Sequence, residues 1–314
     1  MAEAATIRLD RPLSGIGFVV AGVTIFTIQD VIIKWLSGDY PVLEIVFVRS
    51  LVALPLLFAL ARFRGGERLR MSQPFQQGLR GLVMFLSYTT YYLAIAALPL
   101  AETVSIFYSA PLFMTALSGF LLGEHAGARR WSAIAVGFVG VLVIMKPQGE
   151  LSLAAILAVA SAVTYAFSAI LARRIGAQDS AESMAISATF VYAAMAGVAG
   201  LALGDGVLGA TGRPDVDFLL RAWSWPSARD LTLFCVCGVI AAIAFTCLAQ
   251  AYRVAPATAV APFEYSSLPW AVLWGWVIWS EIPSPTLLLG IALVVGSGIY
   301  VFRREAIRAR EGAR

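Results

Sequence analysis

The chain has 314 residues, of which 60% are hydrophobic and 13% charged, with a mean hydropathy of +0.81 and a formal net charge of +4. Soluble domains carry roughly 45–50% apolar and about 25% charged residues, and a water-exposed fold of this size has too much surface to hide the excess. A soluble enzyme is excluded, and so is a nucleic-acid-binding domain, because the arginines fall between apolar runs rather than in a patch with stacking aromatics.

The first fifteen residues include Glu3 and Asp10 and lack the features of a signal peptide, so they are expected to stay as a short tail. About 20 mostly apolar residues are needed to cross a bilayer core. Such windows follow in order at 13–36, 41–62, 78–98, 100–122, 130–146, 152–172, 182–203, 230–252, 256–279 and 285–303. The spacing predicts an all-α integral membrane protein of ten transmembrane helices. Most connectors are short; the exception is 204–229, whose Trp223 and Trp225 suit a membrane–water interface. Cys235, Cys237 and Cys247 share one apolar window, and His125 stands alone, so no metal shell is expected. No phosphate loop, zinc-protease motif or nucleophile elbow occurs. No cofactor is expected, and any work the chain does would draw on a gradient of a solute or of protons rather than on nucleotide hydrolysis.

Positive residues mark the cytoplasmic side. With the N-terminus inside, the inner segments collect Arg8, Arg11, Arg62, Arg64, Arg68, Arg70, Arg80, Arg129, Arg130, Arg173, Arg174 and Arg253, and the tail adds Arg303, Arg304, Arg308, Arg310 and Arg314. Both tails, 1–12 and 304–314, are therefore expected in the cytoplasm. An arginine-rich, lysine-poor and alanine-rich composition points to a bacterial inner membrane.

The chain repeats itself. A shift of 157 residues lays 94–144 on 251–301, matching Pro99 with Pro256, Tyr108 with Tyr265, Ser109 with Ser266 and Glu124 with Glu281. The first helices align more weakly, Thr24 near Thr164 and Lys34 near Arg174. Units of five helices, 13–146 and 152–303, enter the membrane from opposite sides because five is odd. Such inverted repeats alternate access to a midplane site.

The segment EIVFVRSLVALPLL, with Arg49, and the blocks LPLAETVSIFYSAPLFMTALSGFLLGE and APATAVAPFEYSSLPWAVLWGWVIWSE carry a likeness. The chain resembles the EamA-type branch of the drug/metabolite transporter superfamily over essentially its whole length. The resemblance implies export of amino acids or related metabolites, or else uptake of a riboflavin-like vitamin or an S-adenosylmethionine-like metabolite. A lipid translocator or an accessory membrane subunit is the reading from another class. The second helix of the second half has no arginine matching Arg49, which breaks the two-fold equivalence there.

Ionisable groups at membrane depth need a partner or a wet cavity. Asp30 and Arg49 lie at similar depths and are expected to pair, with Lys34 and Glu44 as a second rung. The four serve either as a gate or coupling group or as structural ties. Glu264, between Pro262 and Pro269, is expected to face substrate or carry a proton; the alternative is an acid bonded to a tyrosine or to Gln250. Tyr88, Tyr92, Phe107, Tyr108, Ser109, Tyr165, Gln250, Tyr265 and Trp270 complete the expected substrate-binding set. Rings beside a carboxylate suit an amphiphilic, ring-bearing or cationic small molecule. The expected partners are that substrate, the lipid bilayer and protons.

Overall fold

The computed structural model describes residues 12–63, 72–121, 128–145, 152–175, 181–209, 211–255 and 260–311. Glu124, Lys146 and Pro256, like the residues before 12 and after 311, lie outside these. The described residues are all helical apart from connections and contain no strand. In chain order they form α1 (Pro12–Leu36), α2 (Val42–Phe63), α3 (Pro74–Ala97), α4 (Leu100–Phe107), α5 (Ala110–Leu121), α6 (Ala128–Met145), α7 (Leu153–Ile175) and α8 (Ala181–Leu203). The second half continues with the short α9 (Pro214–Leu220), α10 (Ala228–Val254), a 3-10 turn (Ala261–Ser266), α11 (Ser267–Trp279) and α12 (Pro285–Glu311).

Among the described residues seven helical spans are long and apolar enough to cross a membrane, one of them the Leu100–Leu117 run shared by α4 and α5, and the apolar Trp131–Met145 is a shorter eighth. The chain is a multi-pass membrane protein. Two of the ten expected spans fall below the hydropathy or length of the rest for local reasons. α3 is diluted by Gln76, Gln77, Arg80, Ser87 and its tyrosines, and the ninth window is divided between a 3-10 turn and a helix of 13 residues.

Proline chemistry explains two interruptions. A proline has no N–H and its ring clashes with the carbonyl four residues earlier. For Pro111 that carbonyl is Phe107's, where α4 ends; for Pro269 it is Tyr265's, in the 3-10 turn. The chain bridges the first break with short-range bonds: Ser109 N–H donates to the Ile106 carbonyl (3.0 Å) and Leu112 N–H to Ser109's (2.9 Å). The window 100–122, expected as one helix, is two helices broken at Tyr108 and Ser109.

The principal packed pairs are α3 with α7, α1 with α10, α2 with α8 and α6 with α12; α3–α8, α2–α10 and α4–α11 also meet. Exchanging each element for its repeat counterpart turns α3–α7 into α10–α1 and α3–α8 into α10–α2, and leaves α2–α8 and α6–α12 in place. α6 and α12 approach closely at Gly140 and Gly290: a Cβ on Gly290 would lie 2.9 Å from the Gly140 carbonyl and against Ile144. Gly290→Val is expected to cost about 1–3 kcal/mol by overpacking this seam, read as a lower unfolding temperature in detergent; an unchanged temperature refutes the tight seam.

The 204–229 connection folds against the α1–α2 turn. Arg221 donates to the Ser37 carbonyl (2.8 Å), and Tyr40 donates to Asp230 (2.8 Å). In its outer part the Thr211 hydroxyl and N–H both donate to Asp217, holding that carboxyl below its usual range. The added stability is present above the ordinary carboxylate pKa and lost as pH falls through the lowered one.

Candidate functional site

The two helix breaks meet. Tyr108 and Tyr265, equivalent in the repeat, bring their ring centroids to 5.3 Å, and Ser267 Oγ donates to the Tyr108 hydroxyl at 2.8 Å. Beside them lies a cavity of about 100 Å³. α1 contributes Thr27 and Asp30, α3 contributes Tyr88, Tyr91 and Tyr92, and the first break contributes Phe107 and Tyr108. Tyr165 comes from α7, Glu264 from the 3-10 turn and Ser267 from α11. On α3 the tyrosines recur at three- and four-residue intervals, which puts them on one helix face. The rings are continuous: Tyr91–Phe107 at 5.0 Å, Phe107–Tyr165 at 5.2 Å and Tyr88–Tyr92 at 6.1 Å. Two carboxylates, from opposite halves of the chain, therefore face an aromatic chamber. Such a lining can hold a positively charged group by ion pairing and by the faces of the rings.

Seven of the fourteen expected residues line this chamber: Asp30, Tyr88, Tyr92, Phe107, Tyr108, Tyr165 and Glu264. Tyr265 is adjacent but buried, its hydroxyl against Gly298. Ser109 is fully buried and its hydroxyl returns to the Ile106 carbonyl (2.6 Å), so it serves the break rather than the lining. Gln250 on α10 is half-buried and off the lining. Trp270 corrects the expectation outright. Leu268, Ala271 and Gly275 take the inward face of α11, which leaves Trp270, Leu273, Trp276 and Val277 outside.

The expected ion pairs are also corrected. Among the described residues, Asp30 and Arg49 are not within ion-pair distance. Tyr91 donates to Asp30 (3.0 Å), while Arg49 Nη1 donates to the Tyr92 hydroxyl (2.9 Å). The guanidinium stands over Tyr92 and Tyr192, 5.2 and 6.0 Å from the ring centres. Gln29, 1% exposed, closes this cluster: with its amide oxygen towards Arg49 and Tyr92, its nitrogen donates to the Cys237 carbonyl, each at 2.9 Å. Arg49 thus sits behind the chamber wall and fixes the Tyr92 hydroxyl in it.

The second rung is replaced as well. Lys34 pairs with Glu281 (2.5 Å) and donates to the Leu98 carbonyl (2.7 Å), and Glu281 accepts from Leu100 N–H (2.8 Å). Glu44 instead accepts from Ser224 N–H (3.2 Å), away from the chamber. The partner of Lys34 is thus not on the first two helices but a carboxylate 247 positions along the chain. Its signal was present, since Glu281 is the repeat counterpart of Glu124. Gln29 was legible only as a polar residue beside Asp30.

Residues 13–146 and 152–303 each match the EamA-like transporter family. The chain is 28% identical to an S-adenosylmethionine uptake transporter of Rickettsia felis, across 93% of this chain and 94% of that protein. It is 28% identical to a riboflavin transporter of Rhizobium johnstonii (94% and 92% covered) and to a pseudopaline exporter of Pseudomonas aeruginosa (95% and 99%). A solved crystal structure at 20% identity covers 92% of the chain and 95% of its own, with a TM-score of 0.62, and so shares the fold.

Proposed function

This chain belongs to the EamA-like transporter family, and from that premise we propose that it moves a small, ring-bearing, positively charged metabolite across a bacterial inner membrane by alternating access. As a transporter of the drug/metabolite type it is not an enzyme. The observation that carries the cargo class is the chamber in which Asp30 and Glu264 face the rings of Tyr91, Phe107, Tyr108 and Tyr165. The cation behind the wall, Arg49, is engaged by Tyr92 and Gln29 and is not part of the lining.

An inverted repeat of ten spans, 13–146 and 152–303, with both ends in the cytoplasm, is part of the proposal. Its support is the packing pattern that survives exchange of the halves and the contact of Tyr108 with Tyr265 at the two breaks. Pockets for drug-sized ligands span about 300–1,000 Å³, and 100 Å³ holds only a few waters. Loading a metabolite therefore requires the helices around the breaks to part, and alternating access supplies that motion. The cargo of two similar proteins, S-adenosylmethionine and riboflavin, gives a cationic and an uncharged member for comparison.

Proteoliposomes loaded with a metabolite panel, with and without a pH gradient, test this reading. Cationic ring compounds are expected to cross at least tenfold faster than neutral or anionic analogues, and Glu264→Gln is expected to flatten the pH dependence. Equal flux for all charge classes overturns the cargo assignment, and an unchanged pH profile removes the proton role of Glu264.

A further inference from the structure

A second cavity lies on the outside of the bundle, at the level of the α1–α2 turn, and is larger than the chamber at about 430 Å³. Its walls are Glu44 and Phe47 of α2, Trp223, Ser224 and Trp225 of the 204–229 connection, and Leu231 of α10. The Trp223 wall and the connection that carries it are held in place. Trp223 is wedged against Gly200 and Gly204, where any Cβ would strike the indole, and Arg221 ties the connection to the α1–α2 turn. Glu44 is 4% exposed, bonded only by Ser224 N–H, and has no cation within ion-pair distance among the described residues. A carboxylate so desolvated, in an otherwise apolar and aromatic pocket, favours a cation.

The surface running away from this pocket says where that cation comes from. Along α2, Leu51, Pro55 and Phe58 continue the face of Glu44 at three- and four-residue steps and are exposed. Along α10, Leu231, Val239 and Ile243 are exposed beside them. In a membrane protein such a groove is filled by acyl chains, and tryptophans mark headgroup depth. The cation therefore arrives on a lipid.

We propose that this crevice binds a phospholipid whose headgroup ends in a primary ammonium, as in phosphatidylethanolamine. The ammonium donates to Glu44 and packs against Trp223 and Trp225, and the tails lie along the α2–α10 groove. A primary ammonium fits better than choline, whose methylated nitrogen has no N–H for the carboxylate, and better than glycerol headgroups, whose lipids bring only negative charge. The site is independent of what the central chamber carries.

Purified protein in detergent, titrated with short-chain phosphatidylethanolamine, phosphatidylcholine and phosphatidylglycerol and read by native mass spectrometry, tests the proposal. Retention of the ethanolamine lipid is expected to exceed that of the others by roughly tenfold, the worth of one charge-assisted hydrogen bond. Glu44→Gln keeps the acceptor for Ser224 and is expected to erase the preference. Trp225→Ala, at a fully exposed side chain, is expected to reduce it without harm to the fold. Equal retention of the three lipids, a preference that survives Glu44→Gln, or one left undiminished by Trp225→Ala overturns the site. Free phosphoethanolamine that competes as well as the lipid overturns the lipid assignment.

Discussion

Arg49→Met is expected to abolish transport while leaving stability within about 1 kcal/mol of the parent. Arg49 is 4% exposed, and no carboxylate lies within ion-pair distance among the described residues. Burying an uncompensated charge costs several kcal/mol, so methionine, which fills similar volume, recovers much of what is lost. The losses are hydrogen bonds from a charged donor, worth about 1.5–3 kcal/mol each, which the relieved desolvation offsets, and Tyr92 keeps its bond to Gln29. A protein that retains so costly a group, and gains little stability from it, uses it elsewhere: Arg49 holds the Tyr92 hydroxyl in the chamber wall. Thermal unfolding measured beside proteoliposome flux separates the readings. A stable and fully active variant removes the transport role, and an unfolded one makes the guanidinium structural. Arg49→Lys is expected to fail in transport too, because a point charge cannot cover two rings as a planar guanidinium does.

The largest stability loss is expected at Glu281, and reversing the charges will not restore it. Lys34 and Glu281 have side-chain exposures of 9% and 20%, and removing one member of such a partly buried pair costs about 2–3 kcal/mol. More than a pair is lost, because both ends serve the backbone. Glu281 accepts from Leu100 N–H, one of the unsatisfied donors at the start of α4, and Lys34 donates to the Leu98 carbonyl just past the end of α3. Trp279 packs beneath the ammonium, 5.0 Å from ring centre to nitrogen. A simple ion pair would recover in the double variant Lys34→Glu with Glu281→Lys. Here the swap turns a donor towards Leu100 N–H and an acceptor towards the Leu98 carbonyl, so the double variant is expected to be no more stable than either single one. Recovery to parental stability would reduce the cluster to a plain salt bridge.

Glu281 reaches that position through the end of α11. Ser280 takes the left-handed conformation (φ 56°), and the Ser280 and Glu281 N–H groups bond back to the Trp276 and Gly275 carbonyls. This closed turn is a common helix ending and is usually built on glycine. Nothing in the local sequence around Trp279 announces it, whereas the recurrence of glutamate at 124 and 281 does announce that the position matters.

Sequence alone determined what depends on composition and short-range geometry. Apolar windows gave the helices, and Pro262 and Pro269 marked the ninth as one that breaks, whereas 100–122 read as one helix and its interruption before Pro111 came from the structure. The repeat set Tyr108 against Tyr265 as equivalents, and the tyrosine spacing on α3 put Tyr88 and Tyr92 on one face. The tertiary structure decided the partners. Asp30 faces Tyr91 rather than Arg49, Lys34 meets Glu281, Glu44 accepts from Ser224 N–H away from the chamber and Trp270 points away from it. Residue depth along a helix is fixed by counting 1.5 Å steps, but rotation about its axis is fixed by packing against other helices, and charges pair by direction as well as by depth.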